Sequence, residues 1–295
     1  MTTLKPALTR TLVQVSADPP VRLLTAQAGD PGGRVLLVIH GGPDWDHTYL
    51  RDPLTGLGGP AGGFRVVFAD LRGCGGSTRG LPTPAYTPDA AVADLLALLD
   101  VLGAGQVDVL GFSYGGVLAQ RLVLAAPGQV RRLVIASSSM LPVPSGAYAD
   151  WPEAAAILDS QPPPAWQGTP EPTPDLVRAD AVVAASVHVW RAAGRAEYLR
   201  RMDDVRFSAD WARAFVAGAL PPALLDGAPA RLAATGLPIL LLQGRQDLCF
   251  PAVLAEQAAA AIPAARAVIL DEAGHMAHID QPQQWLAAVA AFLSR

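Results

Sequence analysis

A serine flanked by glycines is the group in this chain whose spacing most clearly suggests chemistry. Residues 111–115 read Gly-Phe-Ser-Tyr-Gly, with Ser113 at the centre. An apolar run at 107–110 precedes them, and an apolar helical segment at 116–126 follows. A sharp turn between strand and helix requires small flanking residues and raises the hydroxyl above the sheet edge, beside the helix N-terminus. We therefore predict a nucleophile at Ser113, with a plain tight turn as the alternative.

A serine nucleophile requires a base, and the base requires an acid to orient it, because the hydroxyl is weakly nucleophilic at neutral pH. Asp247, the last residue of Gly-Arg-Gln-Asp, follows one apolar strand, and His275 follows a later one. Both would lie on loops at the carboxyl edge of a parallel sheet, as Ser113 does. We predict that His275 is the base and that Asp247 orients it.

Other acids compete for the role of Asp247. Asp247 could instead cap the helix that follows Pro251, although it lies several residues early for that. Asp271 and Glu272 are alternatives, but they are too close to His275 in the chain to orient it easily. The loop after the strand that ends at residue 136 offers serines and no acid.

Four further histidines compete with His275, namely His40, His47, His188 and His278. We expect His40 to brace the glycine loop that follows it. His278 is expected to be structural or to lie at the edge of a pocket. His188 is expected in the core or on the surface of an inserted segment. His275 agrees best with both the chain order and the loop position.

An oxyanion hole requires two backbone N–H groups directed at the developing negative charge. The residue after the nucleophile, Tyr114, would supply one of them. The loop His-Gly-Gly-Pro at 40–43 would supply the other, from Gly42. A simple glycine turn is the alternative reading of this loop.

Strand and helix patterns alternate along the chain, which predicts a mostly parallel sheet with helices on both faces. Thr87 can cap one helix, whose apolar stripe ends before Gly103. The first two predicted strands form an antiparallel pair, and the last predicted helix begins near Pro282. The predicted strands lie at 12–15, 21–24, 35–39, 64–69, 107–110, 130–136, 237–242 and 265–270.

The alternation stops at residue 141, where a proline-rich stretch begins. We predict an inserted, mainly helical lid at 141–232, with helical segments near 175–193 and 209–219. The core is then formed by 1–140 and 233–295. A disordered linker is the alternative, but the insertion is rich in tryptophan, which disordered segments lack.

Composition excludes several classes of function. The chain has 295 residues, 51% of them apolar, and a formal net charge of −4, with scattered basic residues. Neither a nucleic-acid partner nor a membrane surface is indicated. Two cysteines do not form a disulfide framework, and the first 15 residues do not resemble a signal peptide. We expect a cytoplasmic enzyme of small-molecule or short-peptide substrates, with its oligomeric state open.

These motifs together resemble the α/β-hydrolase superfamily over about residues 12–293, and within it the proline iminopeptidase-like group. The loop His-Gly-Gly-Pro at 40–43 and the stretch Asp-Leu-Arg-Gly-Cys-Gly-Gly-Ser at 70–77 carry that resemblance. It implies an α/β-hydrolase fold with a lid, and a serine peptidase that removes an N-terminal residue without metal or cofactor. The alternatives are an esterase or lactonase of small apolar substrates, a carbon–carbon bond hydrolase, and a non-catalytic ligand receptor on a hydrolase scaffold.

The chain departs from that group at the expected ammonium site. The resemblance implies that glutamates of the lid bind the substrate ammonium and that one of them follows a tryptophan. In this chain, Trp190 is followed by Arg191 instead. Candidate substrate contacts are Gly41, Pro43, Trp45, Trp190 and Arg191. Candidate acids for a substrate ammonium are Asp44, Asp46, Glu153, Glu171, Glu197, Asp203 and Asp204.

Overall fold

The computed structural model describes residues 8–59 and 62–294 and contains one eight-stranded sheet of order β1-β2-β4-β3-β5-β6-β7-β8. β1 and β2 pair antiparallel, β2 pairs antiparallel with β4, and the remaining pairs are parallel. The α/β-hydrolase architecture predicted from the sequence is confirmed. The strands are β1 Thr9–Ala17, β2 Pro20–Ala28, β3 Arg34–Ile39, β4 Phe64–Ala69, β5 Val107–Phe112, β6 Val130–Ala136, β7 Ile239–Gly244 and β8 Ala265–Leu270.

Helices cover both faces of the sheet, because its central strands are apolar on both sides. Leu95 and Leu118 belong to the apolar layer on one face, whereas Trp285 and Phe292 belong to the layer on the other. The helices are α1 Arg51–Leu54, α2 Pro88–Val101, α3 Tyr114–Ala125, α4 Pro152–Asp159, α5 Pro174–Val183, α6 Ala185–His188, α7 Ala192–Asp204, α8 Asp210–Val216, α9 Ala228–Ala233, α10 Ala252–Ala261, α11 Ala277–Asp280 and α12 Pro282–Leu293.

Local signals determine several helix ends. The Thr87 side chain accepts a hydrogen bond from the Ala90 amide, and Pro88 occupies the first position of α2, as predicted. Among the helices of the described ranges, none combines the length and apolarity needed to cross a bilayer. The prediction that the first 15 residues do not form a signal peptide rests partly on residues 1–7, which lie outside the described ranges.

The segment between β6 and β7 is helical and contains α4 to α9. The single helical segment expected near 175–193 is instead two helices, α5 and α6, followed by an extended stretch before α7. The last helix of this segment, α9, packs on α3 and α10 of the core. The division of the chain at residues 141 and 232 stays a prediction.

Close backbone packing at Gly115 gives a test of the fold. A methyl group there would lie 2.2 Å from the Ile39 carbonyl oxygen, which a β-strand holds in place. Gly115→Ala should therefore lower the free energy of unfolding by about 1–3 kcal/mol, measured by urea denaturation.

Gly105→Ala is the matched control for this substitution. Apart from its chain neighbours, no described residue has a heavy atom within 4 Å of a methyl group built at Gly105, so the stability of Gly105→Ala should stay close to that of the wild type. Equal stabilities of the two variants would contradict the close packing of α3 on β3.

Candidate active site

The turn from β5 into α3 holds Ser113 in a strained backbone conformation. Its φ is +52° and its ψ is −122°, a region that residues other than glycine rarely adopt. The Ser113 amide donates to the Ala136 carbonyl oxygen at 2.9 Å, which ties the turn to β6. Methyl groups at Gly111 and Gly115 would lie 2.3 and 2.2 Å from backbone oxygens, so both positions require glycine.

Ser113, His275 and Asp247 form one hydrogen-bonded chain. The Oγ of Ser113 lies 3.1 Å from His275 Nε2, and His275 Nδ1 lies 3.0 Å from Asp247 Oδ2. Residues far apart in sequence thus meet at the carboxyl edge of the sheet, as their positions after strands predicted. The arrangement can transfer a proton from the serine hydroxyl to the imidazole.

Asp247 is held in place by neighbours in its own loop. Its Oδ1 accepts backbone hydrogen bonds from Cys249 at 2.7 Å and Phe250 at 3.0 Å. Its Oδ2 also accepts from the Gln243 side chain. The carboxylate is fully buried, and these donors compensate for its removal from water. Asp247 does not cap a helix, which was the alternative prediction, because α10 begins at Ala252 and no side chain caps its first turn.

The pKa of His275 lies well above its ordinary value. Burial lowers the pKa, but the neighbouring Cys249 and Asp247 side chains outweigh burial and raise it. Asp247 therefore favours the imidazolium that would form when His275 takes the serine proton.

Two backbone amides near Ser113 are available for an oxyanion. Tyr114 is the first residue of α3, and amides of a first helical turn have no partner within the helix. Gly42 lines the cavity next to Ser113, and its amide makes no hydrogen bond to any described residue. Its φ of +49° favours glycine. The arrangement is compatible with the predicted oxyanion hole, which remains a prediction.

Ser113 and His275 open into a cavity of about 530 Å³. Its walls come from the glycine loop, from β5 and from the insertion, and they are mainly apolar and aromatic. The volume suits a small organic molecule. Its apolar lining residues include Trp45, Phe112, Leu158, Val177, Val187, Trp211, Phe215 and Met276.

Three candidate substrate contacts lie in the glycine loop. Pro43 and Trp45 line the cavity, and Trp45 packs edge-to-face on Tyr49 with ring centroids 5.3 Å apart. Gly41 does not line it. A methyl group there would lie 2.6 Å from Ser113 Cβ, so Gly41 allows the loop to pack directly against the nucleophile.

Trp190 and Arg191 lie outside the cavity, so the expectation that they contact substrate is corrected. Both backbone amides donate to the Asp280 carboxylate at 3.0 Å. The Arg191 side chain donates to the Asp280 carbonyl oxygen, and the Trp190 ring packs on Trp151. Asp280 also accepts from the Gly274 amide at 2.8 Å, which joins the insertion to the loop of His275.

Several of the acids proposed for a substrate ammonium have other partners, and the candidates in the insertion lie away from the cavity. In the insertion, Glu197 pairs with Arg200 and Arg201, and Asp203 pairs with Arg178. None of the five insertion acids considered, Glu153, Glu171, Glu197, Asp203 and Asp204, lines the cavity.

The two loop acids join the glycine loop to the insertion. Asp44 accepts from the Ser208 hydroxyl at 2.8 Å and from the amides of Trp211 and Ala212 at 3.0 and 2.7 Å. Asp46 accepts from the Arg206 amide at 3.0 Å. Asp44 lines the cavity, but its carboxylate already caps the start of α8.

His40 braces the glycine loop, as expected, because its Nε2 accepts from the Leu71 amide at 3.0 Å. His278 is buried, and its Nε2 lies 3.3 Å from the Tyr49 carbonyl oxygen. His188 differs from the expectation, since it lines the cavity with its ring 5.4 Å from that of His275. The sequence around His188 does not indicate that the ring faces the cavity, because this orientation depends on where α6 ends.

The stretch at 70–77 has a structural role beside the site. Asp70 accepts from the Gly76 amide at 2.8 Å and from the His47 ring at 2.5 Å. Arg72 forms a bidentate pair with buried Asp94 at 2.7 Å. The His47 bond joins the loop after β4 to the segment that follows the glycine loop, and the Arg72 pair joins it to α2.

Within the described ranges, one set of side chains could hold a metal ion. Asp247, Cys249 and His275 each present a ligand atom within 4.8 Å of the others. Because His275 Nδ1 and the Asp247 carboxylate are hydrogen-bonded to each other, we do not assign this set to a metal.

A model of the family described as alpha/beta hydrolase fold matches residues 34–282. The chain therefore belongs to the α/β hydrolase fold family. A solved structure of a proline iminopeptidase-related protein from Thermus thermophilus is 26% identical, with a TM-score of 0.72 over 98% of both chains.

Two curated relatives differ in how much of the chain they match. A cis-3-alkyl-4-alkyloxetan-2-one decarboxylase of Xanthomonas campestris is 25% identical over 98% of both chains. A proline iminopeptidase of Saccharolobus solfataricus is 38% identical over 105 residues, which is 35% of this chain and 33% of that protein.

The raised pKa of His275 leads to a pH prediction. Only neutral His275 can accept the serine proton, so kcat/KM should rise with pH through an apparent pKa above the ordinary histidine value of about 6.5. The measurement is kcat/KM on an ester substrate across pH. An apparent pKa at or below about 6.5 for the wild type would contradict this prediction.

Proposed function

We propose that this protein is a serine hydrolase that cleaves esters of small apolar acyl groups through an acyl-enzyme. The observation that carries the proposal is the hydrogen-bonded chain from Ser113 through His275 to Asp247, which opens into a mainly apolar cavity. Hydrolase membership follows from the family, and the substrate class is our inference.

In this mechanism, Ser113 Oγ attacks the acyl carbon while His275 Nε2 takes its proton. Asp247 keeps Nδ1 protonated and stabilises the imidazolium. The amides of Gly42 and Tyr114 hold the tetrahedral oxyanion. His275 then protonates the departing alkoxide, leaving Ser113 acylated. Water attacks the acyl-enzyme with His275 as base, releasing the acid and restoring the serine.

The cavity favours esters over N-terminal peptide substrates. A substrate ammonium buried without a carboxylate partner would be strongly destabilised. The carboxylates that line the cavity, Asp44 and Asp180, already accept hydrogen bonds from backbone amides of the insertion. The name of the decarboxylase from Xanthomonas describes a β-lactone with alkyl substituents, an apolar cyclic ester.

An aminopeptidase of the proline iminopeptidase type is the second candidate. The glycine loop at 40–43, the stretch at 70–77 and the partial match to the archaeal proline iminopeptidase favour it. The two motifs lie in the core, at the loop beside the nucleophile and at the loop that supports it, rather than in the part of the cavity that the insertion forms.

Matched substrates separate the two candidates. Wild-type protein should hydrolyse short acyl esters of p-nitrophenol and leave free alanyl and prolyl anilides nearly untouched, because the cavity offers no free carboxylate. Ser113→Ala should lower kcat by at least about 10³-fold, since the nucleophile is lost.

Ser145→Ala, which changes an exposed serine of the insertion, is the matched control and should keep wild-type turnover. Cleavage of free anilides that disappears on N-blocking would instead assign the aminopeptidase. Undiminished ester turnover by folded Ser113→Ala, together with no labelling of the wild type by a fluorophosphonate, would overturn the serine mechanism.

A further inference from the structure

His188 places an imidazole on the substrate side of the cavity. It ends α6 and lies between two aromatic neighbours and the proposed base: its ring is 5.9 Å from Trp45, 5.7 Å from Tyr198 and 5.4 Å from His275. The His188 carbonyl oxygen accepts from the Met276 amide at 2.7 Å, which fixes this part of the insertion on the loop of His275.

A hydrogen-bonded chain determines which nitrogen of His188 carries the proton. The Tyr198 hydroxyl donates its single proton to the Ala181 carbonyl oxygen at 2.6 Å. His188 Nδ1 lies 2.9 Å from the same hydroxyl oxygen, so Nδ1 must be the donor in that pair. Burial, with a smaller contribution from His275, lowers the pKa of His188 to about 3. The ring is therefore neutral, and Nε2 carries a lone pair.

The Nε2 atom of His188 has no hydrogen-bond partner among the described residues. The atom is not fully buried, and His188 lines the cavity, so we infer that Nε2 is accessible from the cavity. A free acceptor in a mainly apolar wall is suited to a ligand with a hydrogen-bond donor, because an unmet acceptor costs free energy once water is displaced.

We propose that His188 Nε2 accepts a hydrogen bond from a hydroxyl on the acyl chain of the substrate, which makes hydroxyacyl esters the preferred substrate class. The inference rests on the proposed ester hydrolase. We place this hydroxyl on the α or β carbon, because the scissile carbonyl must lie beside Ser113 and His275, and the His188 ring is 5.4 Å from that of His275. A neutral donor is favoured over an ammonium because the neutral ring supplies no negative charge.

The test compares chromogenic esters of butanoic, 2-hydroxybutanoic, 3-hydroxybutanoic and 2-aminobutanoic acids. The wild type should prefer one hydroxyacyl ester over the butanoyl ester by about threefold to tenfold in kcat/KM. His188→Phe keeps an aromatic ring without an acceptor and should bring that ratio to about one. His188→Gln, whose amide oxygen can replace Nε2, should recover part of the preference.

A purely structural role for His188 would reduce turnover of all the esters by the same factor, and that outcome would overturn the proposal. Equal kcat/KM values in the wild type would also overturn it, as would preference for the aminoacyl ester. Failure of the wild type to hydrolyse any ester would refute the proposed function instead. Calorimetric Kd values of Ser113→Ala for the hydroxylated and plain esters then test the His188 contact without turnover, and equal values would overturn it.

Discussion

The strained turn at Ser113 is the constraint on which the rest of the site depends. A positive φ at a residue with a side chain costs of order 1–3 kcal/mol, and it persists only where the surrounding structure enforces it. Here β6 holds the Ser113 amide, while Gly111 and Gly115 let the strand and helix approach closely. The same close approach brings Gly41 against the serine, so one local conformation positions both the nucleophile and the loop that carries Gly42.

The insertion is attached to this turn through two buried carboxylates. Asp44 joins the glycine loop to the start of α8, and Asp280 joins the loop of His275 to the stretch before α7. Burial raises the pKa of each carboxyl, and backbone amides compensate by binding the charged form. Asp44 and Arg191, which the sequence suggests as contacts for a charged substrate, therefore hold the insertion in place beside the proposed catalytic groups.

The sequence predicts the sheet and the meeting of Ser113, Asp247 and His275 because both depend on local pattern and chain order. β6 and β8 have the predicted bounds, since each is a mainly apolar run of strand length. The wall of the cavity could not be predicted. The break between α6 and α7, which turns His188 inward, depends on Asp280, some 90 residues away. Arg191 likewise resembles a ligand residue in sequence, but it binds Asp280 in the fold.

The resemblance to proline iminopeptidases therefore concerns the chemistry more than the substrate. Its motif at 40–43 packs on the nucleophile, where any acyl transfer requires the same oxyanion geometry, and its motif at 70–77 supports that loop through the bond from Leu71 to His40. Substrate selection depends on the insertion, and there the lining carboxylates are already bound by backbone amides. An ammonium in this cavity would lose its hydration and meet only carboxylates whose oxygens already accept hydrogen bonds from backbone amides, whereas an apolar acyl chain would gain from the same burial. One neutral acceptor, His188 Nε2, then remains to distinguish among apolar esters, and a hydroxyl matches it in both charge and hydrogen-bonding direction.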